Sequence, residues 1–121
     1  MTSPSDLPAG SPLANIGDPK LVRDQSYIAG KWQSGADGRT IDITNPADGQ
    51  VIGRVAAMSA AESRQAVDAA EAAFDDWADL LPQERSRLMR RWFDLMMANK
   101  EDLAQLMMLE QGKPISEARG E

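Results

Sequence analysis

From residue 59 onward the apolar residues recur at helical spacing, whereas before it they alternate or sit between turn formers. That division predicts short strands followed by a group of helices. Ser59 opens the helical half as a capping box with Glu62, three positions on: the serine oxygen accepts an early backbone N–H and the glutamate reaches back to the cap. Val67, Ala70, Phe74 and Trp77 then share one face, with Arg64, Asp68, Glu71, Asp75 and Asp79 opposite, which predicts an amphipathic helix of about five turns. Pro82 suits the first turn of a second helix. Leu88, Met89, Trp92, Phe93, Leu95 and Met96 give that helix an apolar face wide enough to need two neighbours. Asn99 is expected to cap a third helix through Leu103, Leu106 and Met107, and Gly112 with Pro114 is expected to stop it. Residues 115–121 resemble the opening turns of a fourth helix cut short, which leaves an amphipathic start with no face to bury.

The first half predicts tight β structure. Tyr27, Ile28 and Trp32 surround Ala29-Gly30 as two short strands joined by a two-residue turn, at which Ala would resist the positive φ that such a turn requires. Thr40-Ile41-Asp42-Ile43-Thr44 alternates with period two and ends at Asn45-Pro46, Asp48-Gly49 offers a turn, and Val51-Ile52-Gly53-Arg54-Val55 follows as a further strand. Residues 1–24 carry four prolines, at 4, 8, 12 and 19, with few large apolar side chains, and are expected to form a mobile tail ahead of a single unit over 25–121.

The chemistry available is narrow. With no cysteine and no histidine among 121 residues, there is no thiolate nucleophile, no disulfide, no thiolate zinc site and no imidazole base. A net charge of −6 without a basic run argues against nucleic acid as a partner. Arg85, Arg87, Arg90 and Arg91 lie among acidic residues on a helix and fit a solvated face. The first residues have neither the basic start of a secretory signal nor the apolar length of a membrane span, so a cytoplasmic location is the default expectation. Neither GxGxxG nor GxxxxGK spacing is present, and Gly112-Lys113-Pro114 lacks the rest of a phosphate loop. The paired methionines at 96–97 and 107–108 fit core filling better than a recognition groove. The acidic pairs Asp75-Asp76 and Glu101-Asp102 fit solvated helix faces. Catalytic, cofactor-binding and metal residues are therefore all expected to be none in this chain.

Three strings taken together, Tyr27-Ile28-Ala29-Gly30-Lys31-Trp32, Thr44-Asn45-Pro46-Ala47-Asp48-Gly49 and Leu109-Glu110-Gln111-Gly112-Lys113-Pro114, resemble landmarks of the aldehyde dehydrogenase superfamily in order and spacing. The helix around Arg90-Arg91-Trp92-Phe93-Asp94-Leu95-Met96-Met97 and the ending Glu117-Ala118-Arg119-Gly120-Glu121 are most similar to the succinate-semialdehyde dehydrogenase branch. Ala29 departs from the family's frequent Asn. The resemblance spans residues 25–121 and implies an α/β class, the N-terminal portion of an aldehyde dehydrogenase fold, incomplete, in which a β-hairpin and short strands followed by a helical bundle frame the subunit.

For a whole subunit the resemblance implies oxidation of an aldehyde with NAD or NADP, through a cysteine thiohemiacetal, hydride transfer and glutamate-assisted hydrolysis of the thioester. The groups that do this lie downstream of residue 121 in the family. Succinate semialdehyde is the implied substrate, with glutarate semialdehyde, an amino-aldehyde or an aliphatic aldehyde as alternatives. The implied partners are the remainder of its own subunit and further copies in a homo-oligomer. In some relatives a monovalent cation is held by backbone carbonyls before the Asn-Pro turn and an acidic residue before the Gly-Lys-Pro turn, which here would be Ile43, Thr44 and Glu110. A structural glutamate at a helix end is the preferred reading, and the cation is not among the expected sites. A stand-alone helical interaction module is the alternative of a different class.

Overall fold

A computed structural model describes residues 7–121. Two antiparallel hairpins come first. β1 (Ser26–Ile28) pairs with β2 (Lys31–Gln33) in the register Tyr27 opposite Trp32, and β3 (Thr40–Thr44) pairs with β4 (Val51–Ala56) with an irregularity at Ile43/Thr44. Each hairpin is its own two-stranded sheet. α1 (Ala60–Asp79), α2 (Pro82–Ala98), α3 (Lys100–Gln111) and the single turn α4 (Ile115–Ala118) follow. The expected order of strands and then helices is the observed one.

The Ala29-Gly30 turn carries the backbone conformation that the sequence made awkward. Both residues have positive φ, +50° at Ala29 and +78° at Gly30, as tight twisted hairpins require. Tyr27 and Trp32 compensate across the strands with ring centroids 5.1 Å apart, and the Arg23 guanidinium lies 4.7 Å from the Trp32 ring. Alanine has no side-chain polar group to ease the left-handed region, and asparagine does. Ala29→Asn is therefore expected to stabilise the chain by about 1 kcal/mol, read as a higher urea midpoint; an unchanged or lower midpoint would contradict the strain.

The helix boundaries follow their local chemistry. Ser59 Oγ accepts the Glu62 N–H at 3.3 Å, and a Glu62 oxygen accepts the Ser59 N–H at 2.7 Å, closing the expected capping box. Gly112 ends α3 in the left-handed region with φ +74°. Asn99 departs from expectation. Its side chain does not cap α3 but donates back to the Leu95 carbonyl at 2.9 Å, closing the C-terminus of α2. With α2 ending at Ala98 and α3 starting at Lys100, one residue serves as both caps, and the amide satisfies the helix behind it.

The expected tail through residue 24 also differs, although residues 1–6 lie outside the described residues. Pro12–Asn15 and Pro19–Leu21 form 3₁₀ turns, and Leu13 and Ile16 are buried. The physical reason is capping: Ser11 Oγ accepts the Leu13 N–H and an Asp18 oxygen accepts the Lys20 N–H, each just before a proline that pre-sets the turn. The Pro12–Asn15 turn sits on β4, where Ile52 is 1% exposed, and on α3, where Ala104 is buried. This is the core of the described residues. By contrast α1 makes no extensive contact with another element, neither α1 nor α2 has a buried residue, and Phe74 (64%) and Trp92 (57%) stand open.

Candidate functional site

Two of the three landmark strings meet in space. The β3–β4 connection is held by Asn45, whose side-chain oxygen accepts the Ala47 N–H, whose backbone N–H reaches Gln50 O, and whose carbonyl accepts the Gly49 N–H. Pro46, at the head of this turn, packs on the end of α3. A Cβ placed on Gly112 would lie 2.7 Å from Pro46 Cγ, inside any real contact distance. Gly112 is thus required by its backbone angle and by its neighbour. The Tyr27–Trp32 string forms the separate β1–β2 hairpin.

Beside this junction lies a cavity of about 330 Å³, lined by Leu13, Leu21, Val22, Ile43, Val55 and Leu106, with Asp24 and Glu110 among its polar groups. One Asp24 oxygen, Oδ1, is buried without a hydrogen-bond partner. Glu110 has its carboxyl pKa raised by loss of solvent around it. The neutral form is therefore favoured in the fold, and stability declines as pH rises from the ordinary carboxylate value through the raised one. Of the residues that the resemblance implied for a monovalent cation, Ile43 and Glu110 face this one cavity and Thr44 is not part of its lining. Among the described residues no three acidic, histidine or cysteine side chains cluster as a metal site.

The starts of α1 and α2 are closed by their own glutamates. A pyrophosphate seeks unsatisfied N–H groups at a helix N-terminus, but Glu62 already closes α1, and at α2 a Glu84 oxygen accepts the Leu81 N–H at 3.2 Å. Arg23 and Arg54 line the cavity alongside Asp24 and Glu110, so both signs of charge face it.

Glu62 has a second role that its capping motif did not announce. Its other oxygen accepts the Ala36 N–H at 2.6 Å, so one carboxylate joins the start of α1 to the loop between the hairpins. These bonds, first to Ser59 and then to Ala36, hold its pKa below the ordinary value. A lowered carboxylate contributes stability that is present above its unfolded pKa and is lost as pH falls through its folded one. The wild-type chain is accordingly expected to lose stability on acidification below the ordinary glutamate range, and Glu62→Gln to flatten that part of the profile. Denaturant midpoints across acidic pH check this, and parallel profiles for the two chains would refute it.

Two antiparallel hairpins, the second with its turn packed on the end of α3, thus precede helices with uncovered apolar faces. The chain matches the aldehyde dehydrogenase family over residues 32–121 and belongs to it. It is 51% identical over 104 residues to a glutarate-semialdehyde dehydrogenase of Pseudomonas aeruginosa, covering 86% of this chain and 22% of that protein. It is 48% identical over 106 residues to the NADP(+) succinate-semialdehyde dehydrogenase of Escherichia coli, covering 88% and 22%. A crystal structure of an E. coli NADP-dependent enzyme superposes with a TM-score of 0.83 at 48% identity, over 87% of this chain and 22% of that one. The chain therefore spans about 22% of the length of the relatives it matches and has the architecture of the N-terminal portion of the aldehyde dehydrogenase fold.

Proposed function

We propose that this chain is the framing N-terminal segment of an NAD(P)-dependent semialdehyde dehydrogenase that oxidises succinate semialdehyde to succinate. The supporting observation is the locked junction of Pro46 and Gly112, together with residue identity of about one half to semialdehyde dehydrogenases. When bound, the nicotinamide supplies a hydride acceptor. The residues described here position the β3–β4 turn and α3 and touch no reacting atom. A cytoplasmic homo-oligomer belongs to the same proposal.

Glutarate semialdehyde is the second reading, favoured by the 51% identity to the Pseudomonas protein. The two substrates share an aldehyde at one end and a carboxylate at the other, and differ by one methylene. A pocket discriminates one methylene by only about 10–200-fold, so the choice rests on a few contacts outside these residues. The test is to express the open reading frame that contains this sequence at the relatives' length and compare kcat/KM for both semialdehydes and for an uncharged aldehyde, with each nucleotide. Succinate semialdehyde is expected to lead. A lead for the uncharged aldehyde, or no nucleotide reduction, would overturn the proposal.

A further inference from the structure

We propose that residues 11–21 form a releasable intramolecular latch, and that the groove between β4 and α3 is its peptide-binding seat. Three observations carry this. First, the segment makes no strand pairing with its seat, which holds it by side chains alone. Both oxygens of Asp102 are used on it, accepting the Gly17 N–H at 3.0 Å and the Asp18 N–H at 2.9 Å. Asp102 lies in the first turn of α3, where a carboxylate would ordinarily satisfy its own helix. Here it binds another segment. At the other end Ser11 Oγ donates to the carbonyl of Ile52 on β4.

Second, the seat fits this one sequence closely. A Cβ on Gly17 would come within 3.1 Å of Asp102 Oδ1, and a Cβ on Gly53 within 3.1 Å of Leu13 Cδ1, so glycines on both sides allow the approach. Leu13 and Ile16 are the buried anchors between them. Apolar anchors with a two-pronged acceptor for successive backbone N–H groups are how a groove recognises a peptide. The occupant is this chain's own segment, bound in cis.

Third, the segment walls the cavity. Leu13 and Leu21 line it together with Val55 of β4 and Leu106 of α3, so release of the latch removes part of the wall of this already open cavity. The latch thus forms part of this cavity's wall and can leave it without breaking a sheet. This inference does not depend on the substrate proposed above.

Limited trypsin digestion of the whole 121-residue chain tests it, because Lys20 and Arg23 are cleavage sites at the end of the latch, while Arg64 and Arg85 lie on α1 and α2. Cleavage at Lys20 and Arg23, followed by mass spectrometry, is expected to accelerate at least tenfold in Asp102→Ala, with rates at Arg64 and Arg85 unchanged. Gly17→Val alters only the latch and is expected to give the same pattern; Asp68→Ala, on the polar face of α1, is expected to leave all rates alone. Equal acceleration at all four sites would show that the segment cannot be released separately and would overturn the latch. So would unchanged rates at Lys20 and Arg23 in both variants. A dimer on size-exclusion chromatography, with the segment exchanged between copies, would overturn binding in cis.

Discussion

Gly112→Ala is expected to lower the stability of the chain by about 2–4 kcal/mol, the sum of forcing a Cβ into the left-handed region and overpacking a filled contact. The two costs have different sources and can be separated. The backbone cost comes from φ +74° at the end of α3, and the packing cost from Pro46 Cγ, 2.7 Å from the new methyl. Pro46→Ala removes the ring carbon and leaves the backbone angle, so the double variant is expected to recover part of the loss. Gly112→Asn tolerates the angle and keeps the contact, so it is expected to fall between wild type and Ala. Because Gly112 and Pro46 touch, their effects should not add. Chemical denaturation of the four chains measures the coupling, and strict additivity would mean that the turn and the helix end are independent.

That junction shows which parts of the fold were legible from residues alone. Asn45-Pro46 and Gly112-Pro114 each announce a strand end and a helix stop, because Pro and Gly act on their own backbone. Nothing local says that they touch, since Gly112 lies 66 positions beyond Pro46. Only the ordered resemblance to a family hinted that the strings belong together. Ser59 and Glu62 likewise declared the start of α1, while the bond from Glu62 to Ala36 spans 26 positions and leaves no local trace.

The N-terminal segment illustrates the opposite error. Its composition, rich in Pro, Gly and Ser, predicts a mobile tail, because such residues bury little surface to offset ordering entropy. Yet Ser11-Pro12 and Asp18-Pro19 are each a capping residue followed by a proline, and that pair of signals was available in the sequence as turn starts. Their partners were not. The seat for Leu13 exists only once β4 and α3 are side by side. The cavity with Asp24 and Glu110 was illegible for the same reason, as its lining runs from residue 7 to residue 110.

Trp92→Ala is expected to change the stability of the 121-residue chain by no more than about 0.5 kcal/mol, as for an open surface position, and that of a subunit of the relatives' length by about 3–5 kcal/mol. In the chain Trp92 is 57% exposed, and Leu88, Phe93 and Leu95 of α2 are similarly open. An apolar face this wide on one helix is unstable against water unless it is covered. The chain spans about 22% of its relatives' length, so the cover in the proposed enzyme comes from the rest of the subunit. The contrast between the two backgrounds is what matters, since a large loss in both would place Trp92 in a contact that the chain makes by itself, as in self-association. A small effect in both would leave α2 a free face in the whole protein. The chain's role would then shift from framing an enzyme to presenting a helix to another partner.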